Sequence, residues 1–269
     1  MPKDIFGLTQ MTSEVTSDPE YLSAMVDKMR IRGALIAVES FTEEGLGHIN
    51  KGWNPLGEQM VRTIQAIQDR GILVLSSIMC GLESDTVDTI RTMRAFAIRS
   101  GTTLAQFTHY DVYRGTKDLH EMLSDNRHAA TPGFVRKHKT ELLRERFWLE
   151  PNSVKRADVI RYANISTADL MRETTKCWQA FYWFHEALRR VRRGWMAQWP
   201  VSMKLTYLGL CLAFSRLYSG EGMGADSVRQ KEMGTVEAVS FQVVPAVFIK
   251  ALVRALVRMA CRPARPVAR

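Results

Sequence analysis

The sequence predicts an α/β fold, in which a partial parallel sheet with external helices is followed by an α-helical extension. Two observations predict the first part: apolar runs of strand length alternate with amphipathic stretches of helical period, and the connections between them are short. Right-handed crossovers turn such an alternation into a parallel sheet with helices outside it. The third observation is the change to helical periodicity alone after about residue 126, which predicts the extension.

Four segments have the composition of strands. Gly33–Val38 is a continuous apolar run, as expected for a strand buried on both faces. Ile72–Met79 and Leu104–Tyr110 repeat this composition, and Ile5–Val15 precedes them as the first strand. Four strands are too few to close an ordinary barrel. The chain is therefore expected to begin partway through its fold.

Three helices are predicted between these strands. The first spans Asp18–Met29, with Asp18 as its N-cap and Pro19 at the first helical position. The second spans Gly57–Arg70. The third begins after Asp85 and stops at Gly101, a residue type that commonly ends helices.

The remaining chain is predicted to be helical. Phe134–Trp148 is expected to form a strongly basic helix, Ser166–Arg193 a long helix capped by Ser166 or Thr167, and Met203–Tyr218 a further helix. The predicted division of the chain is residues 1–125 for the α/β part, 126–235 for the helical extension and 236–269 for a basic amphipathic tail.

The charge balance restricts the choice of partners. The chain has 37 Lys and Arg against 28 Asp and Glu, a net charge of +9, which suggests an anionic membrane surface, a nucleic acid or a phosphate-bearing ligand. Nucleic acid is the least favoured, because the basic residues form no aromatic-interleaved patch or recognisable module. The cysteines are scattered without a close pair, which favours a reducing cytoplasm. They are Cys80, Cys177, Cys211 and Cys261.

The tail has a basic ridge. Lys250, Arg254, Arg258 and Arg262 recur every four residues and so share one helical face, while apolar residues cover most of the rest. This composition is typical of a helix lying in a membrane interface, and it predicts a cytoplasmic protein that binds peripherally to the inner face of the membrane. The alternative is a helix packed on its own domain with a solvated basic edge.

Three phrases occur in order along the α/β part. Gly33-Ala-Leu-Ile-Ala-Val-Glu-Ser40 ends in a Glu-Ser pair, and Val74–Thr86 ends in a Gly-Leu-x-x-x-Thr turn. Ala105–Thr116 ends in Arg114-Gly-Thr, where Pro-Gly-Thr is usual. Together these phrases resemble the fourth to sixth strands of the barrel in radical S-adenosylmethionine (radical SAM) enzymes, in particular the cobalamin-binding branch. The resemblance covers about residues 5–125 and implies a partial (β/α) radical SAM barrel.

The extension carries a second resemblance. Phe147-Trp-Leu149, Cys177-Trp178, Phe181-Tyr182 and Ala225-Asp-Ser-Val-Arg229 look similar to the C-terminal region of hopanoid methylase-like members of this family. This likeness implies a methyltransferase that uses cobalamin for the radical methylation of an unactivated carbon. The implied substrate is an apolar, hopanoid-type lipid.

The cluster motif of the family, Cys-x-x-x-Cys-x-x-Cys, does not occur in this sequence. A four-iron iron–sulfur cluster needs such closely spaced thiolates. The cluster and the cobalamin are therefore expected only if a missing N-terminal part, or a complementary N-terminal radical SAM chain, supplies them. The chain alone is expected to be inactive. The alternative is a non-catalytic, membrane-associated or partner-binding scaffold.

The resemblance implies an S-adenosylmethionine site at the carboxyl ends of the strands and assigns no catalytic or metal-binding residue. For Glu39 and Ser40 the alternative role is strand termination and helix capping, and for Gly81 it is a tight turn. His109 and Asp111 share a strand face, a weak indication of an acid–base or metal pair. Aromatic residues 178–184 could grip an apolar substrate but favour a core role. The residues implied to bind the cofactor are Glu39, Ser40, Ser77, Met79, Gly81 and Gln106.

Overall fold

The computed structural model describes residues 6–49, 51–149 and 159–219. Four parallel strands form one sheet in chain order, which confirms the α/β prediction. The strands are β1 (Gly7–Met11), β2 (Ile31–Glu39), β3 (Leu73–Cys80) and β4 (Leu104–His109). The helices between them are α1 (Pro19–Asp27), α2 (Glu43–His48), α3 (Gly57–Asp69) and α4 (Val87–Ser100), with a 3₁₀ turn at Ser13–Ser17.

Local capping sets the helix boundaries. The Asp18 carboxylate accepts a hydrogen bond from the Tyr21 amide at 2.8 Å, so it satisfies one of the free N–H groups of the first turn. Gly101 ends α4 in the left-handed region at φ +65°, where a side chain would be strained. Thr86 caps the start of α4, and Asp85 lies one residue further out.

The two faces of the sheet differ. One alternate set of strand side chains, including Val74, Ile78 and Phe107, is fully buried. The other set, including Leu75 and Gln106, is only half-buried. Parallel strands in chain order, joined by right-handed crossovers, place every connecting helix on one side of the sheet. We refer to the half-buried side as the open face.

The extension contains α5 (Lys117–His128), α6 (Thr167–Tyr182), α7 (Phe184–Val191) and α8 (Val201–Ser219), with 3₁₀ turns at Phe147–Leu149 and Gly194–Gln198. Two short strands, β5 (Glu141–Leu142) and β6 (Ile160–Arg161), pair in antiparallel fashion. Ser166 caps α6 through its hydroxyl, and α8 confirms the helix predicted at Met203–Tyr218. Helix α5 is not among the predicted helices, and the predicted boundary between residues 125 and 126 falls inside it.

The predicted basic helix over Phe134–Trp148 is wrong, because this segment contains bends, β5 and a 3₁₀ turn. Carboxylates distant in sequence accept its backbone N–H groups. The amides of Lys137 and His138 both donate to Asp125 Oδ2, at 3.0 and 2.9 Å, and the Thr140 amide donates to Glu83 Oε1 at 3.1 Å. Tertiary hydrogen bonds therefore replace the helical ladder.

The single helix predicted over Ser166–Arg193 is also wrong, because it breaks at Trp183, whose ψ of 137° is extended. The prediction that the aromatic run is core holds for Trp178, Phe181 and Tyr182, which are buried. Trp183 and Phe184 are 58% and 46% exposed. The break thus separates aromatic residues that pack over the sheet from two that face solvent.

The two edges of the sheet also differ. Aromatic side chains of the extension form hydrogen bonds with the backbone groups along the outer side of β4. In the part of the chain that the structure describes, β1 pairs on one side only, with β2. Of the two edges, β1 is therefore the one whose outer backbone groups have no strand partner among the described residues. The bonds on β4 run from Tyr182 Oη to Ala105 O (2.7 Å), from the Ala105 amide to Tyr182 Oη (3.2 Å), from Trp178 Nε1 to Phe107 O (3.2 Å) and from Tyr207 Oη to Thr103 O (2.8 Å).

None of the helices within residues 6–49, 51–149 and 159–219 combines the length and the hydropathy needed to cross a bilayer. Residues 236–269, including the basic ridge at Lys250, Arg254, Arg258 and Arg262, lie outside the described residues, as do Ala225–Arg229 and Cys261. The membrane-interface helix therefore stays a prediction.

Candidate functional site

Three of the residues implied to bind the cofactor come together on the open face, near the carboxyl ends of the strands. Ser77 on β3 lies opposite Gln106 on β4, and the Gln106 Nε2 donates to Ser77 Oγ at 2.9 Å. Met79 lies opposite Thr108 one step further along the same strands. All of these side chains are half-buried, so their polar atoms border the open face.

The open face changes character along the strands. Towards the amino ends, Leu35, Leu75 and Leu104 lie in register across three strands. With Leu8 they line a small cavity of about 110 Å³. Towards the carboxyl ends, hydroxyl and amide groups replace the leucines. The face therefore has an apolar floor and a polar rim, the pattern of a binding site whose few polar groups orient a ligand.

Glu39 ends β2 with a left-handed backbone, at φ +62°, which is uncommon for a residue with a side chain. A register shift between Ala37 and Glu39 precedes it. The Lys51 Nζ lies 2.7 Å from Glu39 Oε1, and both side chains are largely buried. This ion pair at the carboxyl end of β2 was not singled out from the sequence. No local pattern indicates this pairing, because the two residues are 12 positions apart in the sequence.

Ser40 lies in a hydrogen-bonded clamp between two loops. Its hydroxyl is buried and accepts from the Thr42 amide at 3.3 Å, and Thr42 Oγ1 lies 2.8 Å from Ser84 Oγ. Gly45 packs against this clamp so closely that a Cβ there would lie 2.2 Å from Ser40 Oγ. Thr42 therefore joins the loop after β2 to the loop after β3, and Ser40 holds Thr42 in place.

Gly81 forms a tight turn under the extension. Its φ is +97°, and a Cβ at this position would lie 2.9 Å from both Leu170 and Tyr162. Its amide donates to Asp85 Oδ2 at 2.8 Å, and the Leu82 amide donates to the same oxygen at 2.9 Å. The close approach that requires a glycine is thus to side chains of the extension. Sequence reasoning gave Asp85 no role in this turn.

Asp85 is fully buried, and only one of its carboxylate oxygens has a hydrogen-bond partner among the described residues. Burial raises the pKa of this carboxyl to about 6, although the Leu82 and Gly81 amides act in the opposite direction. The turn below the candidate site therefore contains a carboxyl that titrates near neutral pH.

A second titratable cluster links the loop after β3 to α5. The buried His138 ring lies 3.1 Å from Glu121 Oε2 and 3.5 Å from Glu83 Oε1. A hydrogen bond from Lys137 lowers the pKa of Glu121 to about 2. The cluster holds the 134–140 segment in place, a structural role for His138.

The cysteines that the structure describes do not fit a cluster. Cys80, Cys177 and Cys211 are free and buried, and burial raises the pKa of each thiol, that of Cys177 to about 12. Cys80 packs beside Met93 in the core, with 3.6 Å between the sulfur atoms. Nor does the described part of the chain bring three His, Cys, Asp or Glu side chains together in a metal-binding arrangement, at His109 and Asp111 or elsewhere.

No protein-family model matches this chain, and no curated protein matches it significantly.

Proposed function

We propose that the chain is the C-terminal part of a radical SAM barrel, in which the open face forms the inner wall. The one observation that carries this proposal is the asymmetry of the sheet. Its strands run parallel in chain order, its β4 edge is closed by the extension, and its β1 edge pairs on one side only within the described residues. The last strand of an incomplete barrel needs such a closed edge, because exposed backbone groups promote edge-to-edge association.

S-adenosylmethionine is the proposed ligand of the open face. Ser77 and Gln106 supply a hydroxyl and an amide suited to a ribose or an adenine edge, and Met79 supplies an apolar contact. Glu39, held by Lys51, supplies a carboxylate for an ammonium group. Ser40 and Gly81 contribute by holding the loops that follow β2 and β3, next to the strand ends that carry these groups. This polar set fits the cofactor.

Hydrogen-atom abstraction and methyl transfer would be the chemistry of S-adenosylmethionine, a four-iron cluster and cobalamin when these are bound. The described cysteines do not fit the cluster, so no step of this chemistry is assigned to this chain. Its own residues would bind and orient S-adenosylmethionine, and its apolar floor would contact one part of a substrate of the hopanoid type. The class of reaction proposed for the complete enzyme is the methylation of an unactivated carbon.

The proposed partner is a complementary N-terminal radical SAM chain or segment whose last strand pairs with β1. Such pairing would supply hydrogen bonds to an edge that the described residues leave one-sided. An upstream reading frame encoding Cys-x-x-x-Cys-x-x-Cys would support this enzyme over the scaffold alternative. Its absence would favour a scaffold that binds partners without catalysis.

Binding of S-adenosylmethionine to the full chain tests the function. We expect isothermal titration calorimetry to show binding of S-adenosylmethionine to the wild type. Gln106→Ala should weaken this binding by about tenfold, because the loss of one hydrogen bond to the ligand costs about 1.4 kcal/mol. Gln59→Ala, an exposed change on α3, is the matched control and should leave the affinity unchanged. No measurable binding by the wild type, or equal affinities for the two variants, would refute the assignment of the open face.

Peripheral binding to an anionic membrane surface is the proposal for the tail. Each basic residue near such a surface contributes about 1 kcal/mol, and salt screens this attraction. Changing Lys250, Arg254 and Arg258 together to Glu should abolish binding to anionic vesicles. Equal binding of the wild type and the triple variant would remove the membrane proposal.

A further inference from the structure

A separate cavity lies at the opposite end of the sheet from the candidate site. It is bounded by the C-terminal parts of α3, α4 and α7, and α3 and α4 end where the amino ends of β3 and β4 begin. Its volume is about 710 Å³, within the range of small-molecule sites. A neighbouring cavity of about 920 Å³ shares Asp69, Gly194 and Trp195 with it. We call the two together the arginine groove.

The groove is strongly basic. Among its lining residues are seven arginines and a single acidic residue, Asp69. Two of the arginines have carboxylate partners: Arg99 lies 3.0 Å from Glu58, and Arg189 pairs with Glu186. Within the described residues, Arg190 and Arg193 have no carboxylate within ion-pair distance. Lining arginines are Arg30, Arg32, Arg70, Arg99, Arg189, Arg190 and Arg193.

Helix ends explain only part of this charge. The C-terminus of a helix carries a partial negative charge, which favours a cation in the last turn. This accounts for exposed arginines such as Arg99 on α4 and Arg189 on α7. It does not account for Arg190, because the interaction with a partial helix-dipole charge is much weaker than the free-energy cost of burying a whole guanidinium.

Arg190 is only 4% exposed and has no acidic counterpart among the described residues. Its Nε donates to Tyr207 Oη at 2.7 Å, and its guanidinium lies 4.0 Å from the centre of the Phe181 ring. Burial raises the pKa of Tyr207, so the phenol stays neutral and does not offset the charge. The guanidinium is thus held in a fixed orientation with its positive charge uncompensated by an acid.

Two buried donors in the wall of the groove have unused hydrogen-bonding capacity. Arg190 Nη1 and Trp195 Nε1 are both buried and have no acceptor in the part of the chain that the structure describes. Buried donors in folded proteins are nearly always paired. Both residues line the same cavity, which Arg193 also borders from an exposed position. A buried guanidinium, a buried indole N–H and an exposed arginine therefore border the same cavity.

We propose that the arginine groove binds a small molecule that carries a phosphate group. Arg193 and Arg190 contact the phosphate, because the planar guanidinium fork matches phosphate oxygens and several arginines match a doubly charged anion. Trp195 Nε1 supplies a further donor to the phosphate oxygens. The phosphate belongs either to a free organophosphate or to a lipid headgroup, since both present the same chemistry to the groove.

Titration of the full chain with inorganic pyrophosphate tests this site. We expect Arg193→Gln to weaken binding by about tenfold or more, since a charge-assisted hydrogen bond contributes more than 1.4 kcal/mol. Arg192→Gln is the matched control, because Arg192 is the adjacent exposed arginine and does not line the groove. Trp195→Phe replaces the indole with a smaller aromatic ring that has no N–H donor, and it should also weaken binding. Thermal melts establish that each variant is folded.

A parallel arm compares vesicles containing phosphatidate with vesicles of phosphatidylcholine alone. Phosphatidate binding that Arg193→Gln reduces and Arg192→Gln does not would identify a lipid headgroup as the source. Pyrophosphate binding with the same pattern, without vesicle binding that depends on Arg193, would identify a free organophosphate. Either result supports the groove. Equal losses in the two arginine variants, or no binding of pyrophosphate and no Arg193-dependent vesicle binding, would overturn the proposal.

Discussion

Replacing Asp85 by Asn should change how the stability of this protein depends on pH. The carboxyl is fully buried beneath the loop after β3, where one oxygen accepts from the amides of Gly81 and Leu82. Burial raises its pKa from 3.8 to about 6. The side-chain oxygen of Asn can still accept both hydrogen bonds, so the substitution removes the titration and keeps the turn.

The sign of the effect follows from proton binding. The folded state holds this proton more tightly than the unfolded state, so the group favours folding most strongly below pH 4. Its contribution is lost as the pH rises from about 4 to about 6, and it is constant above that range. A raised pKa of roughly two units corresponds to about 3 kcal/mol. The free energy of unfolding of Asp85→Asn, relative to wild type, should therefore rise by up to about 3 kcal/mol between pH 4 and pH 7.

Guanidinium unfolding at several pH values between about 4 and 7 measures this difference. Asp88→Asn is the control, because the Asp88 side chain, in the first turn of α4, is 87% exposed. Its effect on the free energy of unfolding should not change comparably with pH. If the difference between wild type and Asp85→Asn did not change with pH, or if Asp88→Asn followed the same curve, Asp85 would not be the buried titrating group.

Three further predictions concern the turn and the sheet edges. Gly81→Ala should lower the free energy of unfolding by about 1–3 kcal/mol, because its φ is +97° and the new Cβ meets Tyr162; unchanged thermal melting would contradict this. Tyr182→Phe removes both hydrogen bonds to Ala105 and should cost about 1–3 kcal/mol, whereas the exposed Tyr21→Phe should cost nothing measurable. The chain expressed alone should form oligomers through the β1 edge, and a monodisperse monomer in light scattering would argue against an available edge.

Local sequence patterns are sufficient to predict most strands and helices of the α/β part. Apolar runs such as Gly33–Val38 predict buried strands because both faces of a parallel sheet exclude water in the complete fold. Asp18, Ser166 and Gly101 set helix ends through bonds or dihedral angles within a few residues of themselves. Four of these strands in order also predict the parallel pairing, because crossovers have one hand. The grouping of Ser77 with Gln106 follows from the same register.

Tertiary structure decided whatever depended on partners distant in the chain. The segment from Phe134 to Trp148 has a helical composition, yet its backbone N–H groups donate hydrogen bonds to the carboxylates of Asp125 and Glu83. The local sequence pattern does not identify either carboxylate as an acceptor for this segment. Tyr182 reads as one more aromatic residue until its hydroxyl is placed on the edge of β4, 77 residues away. Arg190 reads as one more surface cation until Phe181 and Tyr207 enclose it. A local pattern states which side chains are apolar or charged, but the energy of a buried hydroxyl or guanidinium depends on the atoms that surround it, and only the folded chain brings those atoms together.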